Sequence, residues 1–165
     1  MTTVSLDDLR RAFAMRATAY AHLFDVMRER FGTDVALEVG REATGRMGAV
    51  LGAAFAPFGP ADLIGLKDAF LGGLGPAEPM FDPEVEQCDD AELRIQFRGC
   101  PLKEQWEAMG RTSEDVALLC RFAGAIDVKL FERAGFTFAG ETWQPGRAGC
   151  CLLKVRPGPQ ASTGD

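Results

Sequence analysis

Apolar side chains recur at steps of three and four through the first 32 residues, at Leu6, Leu9, Phe13, Ala17, Tyr20, Phe24, Met27 and Phe31. That spacing predicts one long amphipathic helix, with Ser5 placed to cap its start and Gly32 its end. A second helical pattern follows from Thr33 to about Phe55. Its Ala36, Gly40, Ala43, Gly48 and Gly52 leave a small-residue surface that lets a neighbouring backbone come close, and the first helix is the expected partner. Asp62 to about Leu71 reads as a short third helix, bracketed by Pro57, Gly59 and Pro60 before it and by Gly72-Gly73 after it.

The period then changes. Leu93, Ile95 and Phe97 alternate with Arg94, Gln96 and Arg98, the mark of a half-buried strand, and Asp89-Asp90 suits the turn from a preceding strand over Glu84 to Cys88. Pro101 fits the first position of a short helix that carries Leu102, Trp106 and Met109 on one face and stops at Gly110. A further helix starts at Ser113, runs through Val116, Cys120, Ala123, Asp127 and Leu130, and ends at Gly135. Strands over Phe136 to Trp143 and Cys150 to Val155 complete an α+β pattern: N-terminal helices packed against a small antiparallel sheet, with further helices between its strands. The expected division is one domain over residues 1–156 and a disordered polar tail over 157–165.

Composition narrows the function classes. At 165 residues and 47% hydrophobic content, the chain can bury one core without disulfide or metal staples. A net charge of −6, with no basic run longer than Arg10-Arg11, gives no footprint for nucleic acid. No apolar stretch approaches the roughly 20 residues needed to span a bilayer, and the N-terminal MTTVSLDDLRR lacks an export-signal pattern, so neither a membrane nor secretion is expected. Five cysteines without such a signal argue for reduced thiols in the cytoplasm. A small molecule is then the expected partner, and self-association is left open.

Cys100, directly before a helix-opening proline, sits where unpaired N–H groups and the helix dipole favour a thiolate, which makes it the leading nucleophile candidate. The bland alternative is an inert thiol filling a tight corner. Cys120 and Asp127 are two turns apart on one helix face, with Gly124 between them removing bulk, as a pocket floor would require. Asp127 has apolar neighbours and, if it faces inward, must be paired, hydrogen-bonded or protonated; facing outward it would be an exposed acid beside Lys129. Of the adjacent Cys150 and Cys151, alternation along a strand lets only one point at the core. The cysteine spacings form no zinc knuckle, and no metal or other cofactor is assigned, although ligands from three elements could converge. His22, the single histidine, falls off the apolar stripe and reads as a surface residue.

The stretch from Cys100 to Val155 resembles the L-2-amino-thiazoline-4-carboxylic acid hydrolase family. The resemblance lies in Cys100-Pro101, the helix to Gly110, Cys120 followed by Asp127, Thr142 in a strand, and the glycine-preceded cysteine that opens CLLKV, for which Cys151 is a better match than Cys150. Gly99 stands where the family pattern has a basic residue, and Leu152 where it has an acidic one. More distantly the chain is similar to 4-vinyl-reductase-like small-molecule-binding domains. The resemblance implies an enzyme that opens a cyclic amidine-like thiazoline to an N-carbamoyl cysteine. Cys100 would attack and Asp127 would move the proton, so that a carbon–nitrogen bond is hydrolysed, with Cys120, Thr142, Cys151 and Trp106 contacting substrate. The second kinship implies the alternative of a non-catalytic sensor that grips a ligand or soft metal with the same cysteines. A degenerate member whose cysteines only pack is the third reading.

Overall fold

The computed structural model describes residues 4–160, so the N-terminal tripeptide and the 161–165 part of the expected tail lie outside the described residues. In chain order the elements are α1 (Leu6–Phe31), α2 (Thr33–Gly52), α3 (Leu63–Leu74), α4 (Glu78–Phe81), β1 (Pro83–Cys88), β2 (Leu93–Phe97), α5 (Pro101–Ala108), α6 (Ser113–Arg133), β3 (Thr137–Phe138) and β4 (Leu152–Arg156), with 3₁₀ turns at Ala53–Phe58 and Gly75–Ala77. The four strands form one antiparallel sheet in the order β1-β2-β4-β3. This is the α+β arrangement expected from the sequence.

α1 opens with a full capping box. The Ser5 side chain accepts from the Asp8 N–H, and the Asp8 side chain accepts from the Ser5 N–H. At the other end Gly32 takes φ 88° and hands the chain straight into α2. Its stripe is buried at Ala17, Phe24 and Met27 but runs out at Phe31, which is 63% exposed because the helix has passed the end of the core.

α2 does touch α1, but its small residues serve a different neighbour, α6. A Cβ added at Gly40 would fall 1.9 Å from the Phe122 ring, and one at Gly52 would fall 2.3 Å from the Leu130 carbonyl oxygen. Between them the Thr44 hydroxyl donates to the Phe122 carbonyl at 2.7 Å, tying the two backbones together inside the core. The sequence reveals that α2 wants a close partner without saying which. The choice falls on α6, whose Phe122, Ile126 and Leu130 come against Gly40, Gly48 and Gly52.

Other boundaries shift for local reasons. α3 continues through Gly72 and Gly73 and stops at Gly75, whose φ of 50° breaks the helix. α6 is capped by Thr112 instead of Ser113, the Thr112 hydroxyl accepting from the Asp115 N–H. The strand expected over 136–143 shortens to two residues. Beyond it the Phe138 ring folds over Gly140 and stacks on Phe131, although Ala139 and Glu141 still donate backbone hydrogen bonds to β4. The expected tail begins as docked chain: the Gly158 N–H donates to the Pro60 carbonyl at 2.8 Å, and Gly158 passes too close to Gly135 for any side chain. No helix of the described residues is long and apolar enough to cross a membrane.

The sheet lays Leu93, Ile95, Leu153 and Val155 against the helices, and all four are fully buried. Trp106 of α5 locks onto α1 by donating its indole N–H to the Ala17 carbonyl at 2.8 Å.

Candidate active site

Two chain crossings bring the chemistry together. At the first, β2 ends and Gly99 passes over α4 so closely that a Cβ would meet the Met80 carbonyl oxygen at 2.6 Å. Cys100 follows in extended conformation (φ −154°, ψ 114°) as the residue before α5, with Pro101 in the first turn, as expected. At the second crossing Gly149 adopts φ 73° and feeds Cys150 and Cys151 alongside the end of β2. There the Cys150 N–H donates to the Phe97 carbonyl at 2.8 Å, and the Phe97 N–H donates to the Cys151 carbonyl at 2.9 Å. This pairing sets Cys150 opposite Phe97, three residues before Cys100.

The result is a cavity of about 290 Å³ reached by Cys100, Cys120, Cys150, Cys151, Asp127 and Arg16. Its remaining walls are apolar and aromatic, including Phe13, Phe70, Phe81, Phe97 and Trp106. Trp106 contributes only its hydrocarbon surface, since its N–H is already bonded to Ala17. Four of the five cysteines therefore converge, all of them unbridged, whereas Cys88 lies elsewhere with its thiol towards the Leu63 carbonyl.

Cys150 and Cys151 depart from strict alternation because β4 begins only at Leu152. Cys150 is the more buried of the pair, yet both residues line the cavity, their sulfurs 3.9 Å apart. The expectation that only one could face inward fails here, and Cys150, ranked second on resemblance, stands beside Cys100.

The thiols divide by environment. The Cys100 thiol is pulled below the ordinary cysteine range, first by the neighbouring Cys150 S–H, which favours a charged sulfur, and then by the Lys103 and Leu102 N–H groups of the first turn of α5. Burial and the nearby Asp127 act against this. Cys150 is pushed up as the partner that keeps its proton. Cys120 is pushed up as well, by burial, and is a neutral wall. Asp127 of α6 is half-buried where it lines both cavities, and desolvation there pushes its carboxyl up to about 7 against the opposing charge of Arg16. One cavity thus holds a thiol disposed to ionise and a carboxyl disposed to exchange a proton near neutrality.

Thr142 lines a second, outer cleft of about 400 Å³ and not the inner cavity. The two share Gly124, Asp127 and Cys151 as a common wall. Gly124 is small for Thr142's sake, since a Cβ there would stand 2.6 Å from the Thr142 methyl. Arg41 and Arg121 line this outer cleft without ion-pair partners among the described residues, whereas Arg147 is paired with Glu141 of the same lining. Among the described residues no group of three or more His, Cys, Asp or Glu side chains is arranged to hold a metal ion. His22 is exposed on α1, as read from the sequence.

Arg16 is the site residue that sequence reasoning passed over. The signal was present: it falls between Phe13 and Tyr20, three and four residues from each, so a cation stands beside the buried stripe of an amphipathic helix.

The sequence model of the L-2-amino-thiazoline-4-carboxylic acid hydrolase family matches residues 12–154 of the chain. No curated protein and no solved structure matches it.

Proposed function

The chain belongs to the L-2-amino-thiazoline-4-carboxylic acid hydrolase family, and from that premise we propose that it hydrolyses a small cyclic amidine of the thiazoline-carboxylate type by addition to the ring C=N carbon. The bond that breaks is the ring carbon–sulfur bond and not the expected carbon–nitrogen bond, because an N-carbamoyl thiol product keeps both nitrogens on that carbon. Cys100 is the nucleophile and Asp127 carries the proton. What most supports this reading is that an acidified thiol and a carboxyl raised to about 7 face one small cavity.

The Cys100 thiolate adds to the amidine carbon while the Asp127 carboxyl protonates the ring nitrogen. The adduct then expels the ring sulfur, a far better leaving group than an amide anion, and the ring opens with its former amidine carbon held on Cys100. Asp127, now a carboxylate, takes a proton from water as that water adds to the same carbon. Collapse returns the Cys100 thiolate and leaves a urea, so one water is consumed and the product carries a free thiol and an N-carbamoyl group. The apolar walls keep bulk water from competing, which raises the strength of each charge interaction inside. Cys120, protonated, and Trp106 shape the ring pocket, Cys151 borders both spaces, and Thr142 belongs to the outer approach. Unbridged thiols at this density suit a reducing compartment, and we place the reaction in the cytoplasm.

Incubation with L-2-amino-thiazoline-4-carboxylate tests the reading. The expected product has gained the mass of one water and one thiol titratable with a disulfide reagent; unchanged substrate, or a hydrated product without a new thiol, contradicts it. The convergence of four thiols favours one second reading, a domain that binds such a molecule without turnover. Stoichiometric binding with no product would select it.

A further inference from the structure

We propose that Arg16 is the carboxylate anchor of the inner cavity and sets its specificity for a small five-membered heterocycle bearing a carboxylate; for the reaction carried out on that ligand, the inference rests on the hydrolase reading above. The orientation of the side chain carries the argument. α1 presents Phe13, Arg16 and Tyr20 on one face, and the guanidinium carbon lies 4.8 Å from the Phe13 ring centroid and 5.9 Å from that of Tyr20. Two aromatic faces thereby hold the planar group in place at the cavity wall.

Among the described residues the same guanidinium has no hydrogen-bond or ion-pair partner. Its Nε is the one buried side-chain nitrogen or oxygen without a hydrogen bond among the described residues. Arg16 enters none of the ion pairs among the described residues, as is also true of Arg10, Arg30, Arg41, Arg121 and Arg133, but of these six it alone lines the inner cavity. A buried donor left open costs stability that a ligand can restore, and the guanidinium fork matches a carboxylate bidentately.

Asp127 is the carboxyl that shares this cavity, and it makes no hydrogen bond or ion pair with Arg16, so the fork stays available to a ligand. The volume, about 290 Å³, lies at the small end of ligand pockets and fits one ring with its carboxylate. Phe13, Phe97 and Trp106 supply the flat apolar walls that such a ring needs.

Thiazole-4-carboxylate and the isosteric, neutral thiazole-4-carboxamide test the anchor, because neither carries the amidine that the enzyme would open. Ligand-observed NMR titrations are run on the full chain, wild type and Arg16→Gln. The carboxylate should bind wild type about 10- to 100-fold more tightly than the carboxamide, the range expected of a desolvated charge-assisted pair. In Arg16→Gln that preference should fall below about threefold while the carboxamide binds as before. Should Arg16→Gln not fold, Arg16→Lys keeps the charge without the fork, and its preference should fall at least about threefold below that of wild type. A wild type with no preference, or a variant that keeps it in full, overturns the proposal. If the preference disappears with Arg16 but the thiazoline is never hydrolysed, the anchor stands and the reaction fails; if turnover proceeds and the preference survives the substitution, the reverse holds.

Discussion

A Cβ on Gly48 would lie 2.0 Å from the carbonyl oxygen of Ile126, the residue that precedes Asp127. α2 and α6 are in backbone contact at the turn that carries Asp127, the proposed proton carrier, so a small residue on one helix sets how closely that turn packs.

Gly48→Ala should therefore be destabilising and should depress activity. Alanine in a helix interior gains about 1 kcal/mol over glycine in propensity, but overpacking against a rigid backbone typically costs about 1–3 kcal/mol, and the clash wins. Gly45→Ala is the control: its Cβ would come within 3.0 Å of the Lys129 Cγ, a side chain that can give, and meets the Ala125 carbonyl oxygen only at an ordinary 3.8 Å, so the propensity gain should dominate. Thermal unfolding of the two variants should move in opposite directions, and equal shifts would contradict the packing account.

Asp127→Asn should become more stable than wild type as the pH rises. The native carboxyl titrates near 7 against a usual value of 3.8, so the folded state keeps a proton that the unfolded chain releases. That contribution is fully present below the unfolded pKa and is lost as pH rises through the folded one. The gap between variant and wild type should open between about pH 4 and 7 and level off above, reaching at most about 4 kcal/mol. Denaturant unfolding at pH 5 and pH 8 measures it, and parallel pH dependence in both proteins would place the carboxyl in solvent.

The same groups predict the rate profile. Turnover needs the Cys100 thiolate and the protonated Asp127 together, so kcat/KM should rise with the ionisation of Cys100 and fall as pH passes about 7. Asp127→Asn should lower the rate about 10²–10⁴-fold and lose the alkaline limb. An unchanged limb in that variant would assign the falling arm to another group.

The helices and the central hairpin were legible in the sequence because caps and periodicity are local: Ser5, Gly32, Asp62, Pro101 and Gly110 act within a turn of where they stand. The place of Cys100 before α5 was legible for the same reason, from its proline, whereas the apolar neighbours of Asp127 left open whether it faced inward or out. Three features were not legible. The partner of α2 depends on which long helix reaches it, Cys150 enters the site through a pairing with Phe97 set by Gly149, and Arg16 acquires meaning only when α1 closes over α5 and α6. Each is a long-range contact that no window of residues contains.

Cys150 should control the reactivity of Cys100. Removing its S–H in Cys150→Ala should shift alkylation of Cys100 to higher pH, while Cys150→Ser, which keeps a donor, should stay near wild type. Iodoacetamide labelling read by peptide mass spectrometry follows both, and in wild type Cys100 should label before Cys88. Identical profiles in the three proteins would leave the α5 N-terminus as the sole source of the effect.

The central claim is that the Cys100 sulfur bonds to the substrate carbon. Acid-quenching the enzyme during turnover of L-2-amino-thiazoline-4-carboxylate and digesting it reads this most directly. The account predicts that the peptide carrying Cys100 gains the mass of one intact substrate, and that Cys100→Ser shows neither adduct nor turnover although it stays folded. Wild-type turnover by Cys100→Ser, or the adduct on Cys120, Cys150 or Cys151 instead, would contradict it.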